Sequence, residues 1–149
     1  MKDLAELYVK KSDLSYIRNS AIELRRWDLT PRQICDLELL MNGAFSPLKG
    51  FLTKIDYENV LNHMRLSDGS LWPIPIILDV TEDFAKSISI GKSIALCDQE
   101  GVILAKMIIS DLWVPDKQLE AQEVYGSIDV SHPGVDYLFN STGAVYLGG

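Results

Sequence analysis

The chain has 149 residues, 47% of them hydrophobic and 23% charged, a size and balance that suit one folded domain with its own core and exclude a disordered tail. The net charge of −7 argues against a nucleic-acid backbone as the main partner, because phosphate contacts need clustered Lys and Arg. Lys2, Asp3 and Glu6 leave no apolar leader, and no apolar run approaches the roughly 20 residues that span a bilayer, so the expected compartment is the cytoplasm.

The basic pairs Lys10-Lys11 and Arg25-Arg26 read as solvated charge. The first secure element is a helix. Thr30 is a good N-cap, Pro31 falls at the first helical position, and Gln33 completes a capping box. Ile34, Leu37, Leu40 and Met41 share one face, and Gly43 stops the run. An apolar turn, Phe45-Ser46-Pro47-Leu48, follows at once. Thr53 with Asp56 starts a second helix with Tyr57, Val60, Leu61 and Met64 as its stripe, ended by Ser67-Asp68-Gly69. Ile74 to Val80 reads as a buried strand whose start, carrying Pro73 and Pro75, lies at an edge or bulge. Thr81 to Lys86 reads as a short helix.

Ser87 to Gly91 then turns into a hairpin of Ile94–Cys97 and Val102–Ile109 around Asp98-Gln99-Glu100-Gly101. Pro115-Asp116 opens a helix that Gly126 closes after Tyr125, Val135 to Asn140 forms a last helical turn, and Ala144 to Leu147 a last strand. Gly148-Gly149 reads as the start of a linker. Strands gather in the middle and end with helices around them, an α+β pattern without βαβ alternation. A small, bent, partly closed mixed β-barrel with flanking helices fits it best.

Candidate chemistry is sparse. Gly91-Lys92-Ser93 echoes the end of a phosphate-binding loop, but Lys86 occupies the position of the required first glycine, and the run enters a strand instead of a helix. His63 and His132 lack a nucleophile or metal-ligand partner at useful spacing. Asp36 and Glu38 are two apart and face different directions on their helix. Asn140-Ser141-Thr142 matches a glycosylation acceptor that a cytosolic chain never presents to that machinery. Trp27, Trp72 and Trp113 sit in apolar contexts and read as core or edge packing. Cys35 and Cys97 lack metal-knuckle spacing and read as two reduced, partly buried thiols. No catalytic, cofactor-binding or metal-binding residue is assigned.

Three runs carry a resemblance: Cys35 to Phe51, Arg65 to Val80, and the tail from Pro115-Asp116-Lys117 through His132-Pro133-Gly134-Val135 to Tyr146-Leu147-Gly148-Gly149. Together they resemble the N-terminal domain of ATP sulfurylase (sulfate adenylyltransferase), over nearly the whole chain. The resemblance implies a PUA-like fold, a single domain over residues 1–149, and a non-catalytic role supporting a catalytic domain and subunit contacts. The family's full enzyme joins ATP and sulfate into adenosine 5′-phosphosulfate and pyrophosphate. Its chemistry lies on a Rossmann-like nucleotidyltransferase domain marked by Gln-x-Arg-Asn-Pro, His-x-x-His and Gly-Arg-Asp-His runs, none of which occurs here. The tail resembles the junction into that domain. Leu52, Cys97-Asp98 and Trp113-Val114 depart mildly from the family pattern.

The expected partners are that catalytic domain and further copies of the chain, with neither nucleic acid nor membrane and with no cofactor in this domain. The turn around Phe45, Pro47 and Leu48 either folds under its own helix or offers a patch to a neighbouring domain. Tyr125, His132 and Pro133 are the natural contact near the C-terminus. Two competing readings are a PUA-type RNA-binding module, which the acidic charge disfavours, and a free-standing regulatory or interaction domain.

Overall fold

The computed structural model describes residues 7–149, so Lys2, Asp3 and Glu6 lie outside the described residues. In chain order the elements are α1 (Leu14–Ile22), β1 (Arg25–Asp28), α2 (Pro31–Met41), α3 (Lys54–His63), β2 (Leu78–Val80), α4 (Glu82–Lys86), β3 (Ser93–Cys97), β4 (Ile103–Ile108), β5 (Asp111–Trp113), α5 (Lys117–Tyr125), α6 (Pro133–Asn140) and β6 (Val145–Gly148). They divide into two compact units. The first comprises the described residues up to Phe51, Ile88–Ile109 and Gly149; the second comprises Leu52–Ser87 and Ser110–Gly148.

In the first unit three strands pair in the order β1-β3-β4. β1 runs parallel to β3, with Arg25 opposite Ile94. β3 and β4 form the expected hairpin, with Ser93 opposite Ile108 and a shift of register between Leu96 and Cys97. The hairpin turn is built by Asp98, whose carboxylate accepts the N–H groups of Glu100 and Val102. Gly101 supplies the positive φ of +84° that the turn requires.

α2 starts as its residues dictate. The Thr30 hydroxyl accepts the Gln33 N–H while the Gln33 side chain accepts the Thr30 N–H, and Pro31 stands in the first turn. Leu37 and Leu40 are buried, but Gln33 is buried with them where the apolar stripe would not place it. Its side-chain oxygen also accepts the Trp27 indole N–H at 3.2 Å, so a polar group is carried inside with its hydrogen bonds made. Cys35 points outward and is exposed, which corrects its partly buried assignment, while Cys97 is fully buried; both are free thiols.

In the second unit the order is β2-β6-β5, antiparallel throughout, with Leu78 opposite Leu147 and Leu112 opposite the same residue from the other side. β6 is the central strand and all four of its residues are buried. Gly148 therefore belongs to a strand and not to a linker. The run from Ile74 yields only three strand residues, because Pro73 and Pro75 have no N–H to donate. Ile76 and Ile77 are still buried, and the Ile76 carbonyl accepts the Leu52 N–H.

α3 is capped by Thr53 and buries Tyr57, Val60 and Leu61. Met64 leaves that stripe: it takes the left-handed C-cap at φ 52° and is exposed. α5 is capped by Asp116 and closed by Gly126 at φ 69°. It packs on α6 through Ala121, Val135 and Leu138, with Tyr125 and Phe139 at the margin. The six strands form two open three-stranded sheets. The mixed α+β class stands; in place of the expected partly closed barrel, the described residues show two open sheets with no barrel closure, because neither sheet's outer strands pair with one another.

Candidate functional site

The apolar turn after α2 folds back on its own helix. The Phe45 N–H reaches the Leu39 carbonyl, the Ser46 N–H and hydroxyl both reach the Gly43 carbonyl, and the Leu48 N–H reaches the Phe45 carbonyl. The Ser46–Pro47 peptide is cis. Leu48 is buried, Phe45 is half-buried and Pro47 is exposed. In the second unit, His132 caps α6, its Nδ1 accepting the Gly134 N–H at 3.1 Å, and Pro133 fills the first helical position. The Tyr125 and His132 rings lie 5.1 Å apart. A Cβ at Gly134 would stand 2.5 Å from the Tyr125 ring, so glycine is required there for space. The structure thus brings Tyr125, His132 and Pro133 together in one unit, and Phe45, Pro47 and Leu48 together in the other.

The second unit also holds a buried polar cluster that the sequence did not reveal. Glu120 is 7% exposed, and its Oε2 accepts the hydroxyls of Tyr57 at 2.8 Å and Tyr146 at 2.9 Å. Trp113 completes an aromatic box, 5.5 Å from Tyr57 and 5.9 Å from Tyr146 in edge or tilted geometry. Burial, then the Glu120 carboxylate, push both tyrosine pKa values far above their ordinary value. Such phenols stay protonated as donors and cannot act as bases.

One turn earlier on α5, Lys117 donates to the Thr142 carbonyl at 3.0 Å, and burial lowers its pKa against the pull of Asp79 and Glu120. Asp79 accepts the Gly143 N–H. These groups tie α5 and β2 to the segment leading into β6. The only advance signal was the spacing of Tyr57 on the α3 stripe; nothing marked Glu120 as an inward residue.

In the first unit a groove of about 490 Å³ opens among Ile17, Leu37, Leu40, Phe51 and the five consecutive residues Leu104–Ile108. Its walls are apolar except for Lys49 and Lys106. Neither of these two amines reaches a carboxylate among the described residues. The second unit carries twelve acidic side chains against four basic ones, Lys54, Arg65, Lys86 and Lys117, so the chain's negative charge is concentrated there and not at the groove. A groove of this kind can seat an apolar segment that bears a carboxylate. Among the described residues no group of three His, Cys, Asp or Glu side chains is placed to hold a metal, and no helix is long and apolar enough to cross a membrane.

The PUA-like domain family matches residues 1–149, spanning both units. The chain belongs to that family. Among curated relatives it is 46% identical over 149 residues to the sulfate adenylyltransferase of Eremothecium gossypii, covering 100% of this chain and 29% of that protein. It is 45% identical over 141 residues to the Saccharomyces cerevisiae enzyme of the same name, covering 95% and 27%. A probable bifunctional SAT/APS kinase 2 of Sorangium cellulosum is 47% identical over 122 residues, covering 82% and 21%. This PUA-like domain thus spans less than a third of the length of these relatives, and corresponds to their N-terminal domain. Among solved structures, the hexameric APS kinase from Thiobacillus denitrificans aligns with a TM-score of 0.66 at 36% identity, over 72% of this chain and 22% of that one.

Proposed function

We propose that this chain is the non-catalytic N-terminal domain of a sulfate adenylyltransferase, the enzyme that joins ATP and sulfate into adenosine 5′-phosphosulfate and pyrophosphate. The observation that carries the reading is the 46% identity over all 149 residues with a protein of which they make up 29%. The domain supports a catalytic domain that follows in the same polypeptide, and contributes to contacts between subunits in the cytoplasm. A hexameric structural neighbour supports the second role. The polar groups with the most perturbed environments, Tyr57, Glu120 and Tyr146, are committed to one another, which supports a scaffold role for this part of the enzyme. Sulfate-dependent exchange between ATP and pyrophosphate tests the reading: the full-length gene product exchanges and the 149-residue chain does not. Exchange by the 149-residue chain above background overturns it.

A further inference from the structure

Among the described residues β4 is an outer strand: in the order β1-β3-β4 it pairs with β3 alone. In an antiparallel ladder successive residues turn their N–H and C=O groups to opposite edges. Ile109 N–H and C=O face the β3 side, meeting the Lys92 carbonyl and the Gly91 N–H. By alternation Met107 and Ala105 face β3 as well, and Ile108 and Lys106 turn their backbone groups to the open edge; the register shift beyond Ala105 ends the alternation there. Side chains alternate between the two faces of a strand. The groove nevertheless touches all five residues from Leu104 to Ile108, so it runs along the edge of β4 and not over one face.

Gly149 stands at one end of this groove. Its N–H donates to the Phe51 carbonyl at 3.1 Å, and a Cβ on it would collide with the Ile108 carbonyl. A Cβ on Gly50 would in turn collide with the Gly149 carbonyl. Two glycines thus let the backbone pass between the Lys49–Phe51 segment and the last residue of β4.

From these contacts we propose that the polypeptide following Gly149 adds to the free edge of β4 as an antiparallel strand, laying apolar side chains in the groove and carboxylates beside Lys49 and Lys106. The inference rests on the reading that further polypeptide follows in a longer enzyme. The direction comes from the geometry: a chain that starts beside Ile108 and runs along the groove reaches Leu104 last, opposite to β4. The groove's length calls for about five residues of strand at the usual rise. Backbone hydrogen bonds of an added strand supply affinity, and alternate side-chain pockets supply register. Lys49 and Lys106, which reach no carboxylate among the described residues, set the chemistry of the alternate residues as acidic.

The test compares amide hydrogen exchange, by nuclear magnetic resonance, in the 149-residue chain and in the same chain extended by about ten residues of its native downstream sequence. Ala105 and Met107 amides, bonded to β3, report that the hairpin is intact in both. The proposal expects the Lys106 and Ile108 amides to exchange at least about tenfold more slowly in the extended chain. It also expects Gly149→Val in the extended chain to abolish that protection while Ala105 and Met107 stay protected. Equal exchange at Lys106 and Ile108 in the two chains overturns it. Protection in the 149-residue chain that grows with protein concentration also overturns it, in favour of a second copy on the same edge. Pyrophosphate exchange by the full-length protein separates the two readings. An active enzyme whose β4 edge is unprotected removes this inference alone, and a protected edge in an inactive full-length protein removes the proposed function alone.

Discussion

The Tyr57 hydroxyl donates to the Glu120 carboxylate across 63 positions of sequence, at 2.8 Å and in the buried interior of the second unit. Tyr146 donates to the same oxygen at 2.9 Å. Both donors stabilise the carboxylate in this position, because an ionised group left short of partners inside a protein costs more than the hydrogen bond it lost. Tyr57→Phe should therefore lower stability by about 1–3 kcal/mol, measured by urea unfolding. Glu120→Ala, which orphans two hydroxyls and opens a cavity, should cost about 2–5 kcal/mol. A loss below about 0.5 kcal/mol for Tyr57→Phe would show that the carboxylate recruits another donor.

The same pair fixes an alkaline limit. Burial, then Glu120, raise the Tyr57 and Tyr146 pKa values in the folded state. A raised folded pKa means the folded state holds its proton more tightly than the unfolded state. The contribution is present in full below the unfolded tyrosine pKa of about 10 and is lost as pH rises beyond it. Stability measured between pH 8 and 11 should fall steeply above about pH 10. In Tyr57→Phe/Tyr146→Phe the slope above pH 10 should flatten. An unchanged slope would place the alkaline sensitivity elsewhere.

The apolar turn can be resolved in the same way. Leu48 is 6% exposed and Phe45 is half-buried. Leu48→Ala in the 149-residue chain should cost about 2–3 kcal/mol, and Phe45→Ala clearly less. Thermal melts of the two variants check the order. A larger loss for Phe45 would show that the turn packs deeper than its exposure indicates, and a loss at neither would favour a patch for a neighbouring domain.

Thiol reactivity separates the cysteines. Cys35 is exposed on α2, and Cys97 is buried on β3 with burial pushing its thiol pKa up. An aromatic disulfide reagent at pH 8 should modify one thiol in the native chain and two after denaturation, without added reductant. Two fast thiols would show local opening of β3, and none would indicate oxidation.

What the residues announced and what they concealed follow one rule. Thr30, Pro31 and Gln33 specify a helix start by local hydrogen bonding, and the start forms as they require. Asp116 and Gly126 do the same for α5, and Gly101 for the hairpin. β1 could not be read, because its four residues RRWD show the burial of an exposed edge and no alternation. α1 buries only Ala21 and has no side-chain cap, so neither of the signals that identify a helix is present.

The groove and the Glu120 cluster were hidden for a different reason. Both are made by residues distant in sequence: Lys49 and Lys106 lining one groove, and Tyr57, Glu120 and Tyr146 around one oxygen. Of the residues singled out beforehand, Tyr125, His132 and Pro133 meet in space because α5 and α6 are neighbours.

The central claim is that this PUA-like domain supports catalysis without performing it. Sulfate-dependent exchange of labelled pyrophosphate into ATP, run side by side on the purified 149-residue chain and on the full-length gene product, tests it most directly. The account predicts exchange by the full-length protein and only background by the 149-residue chain. Exchange by the chain alone would contradict it.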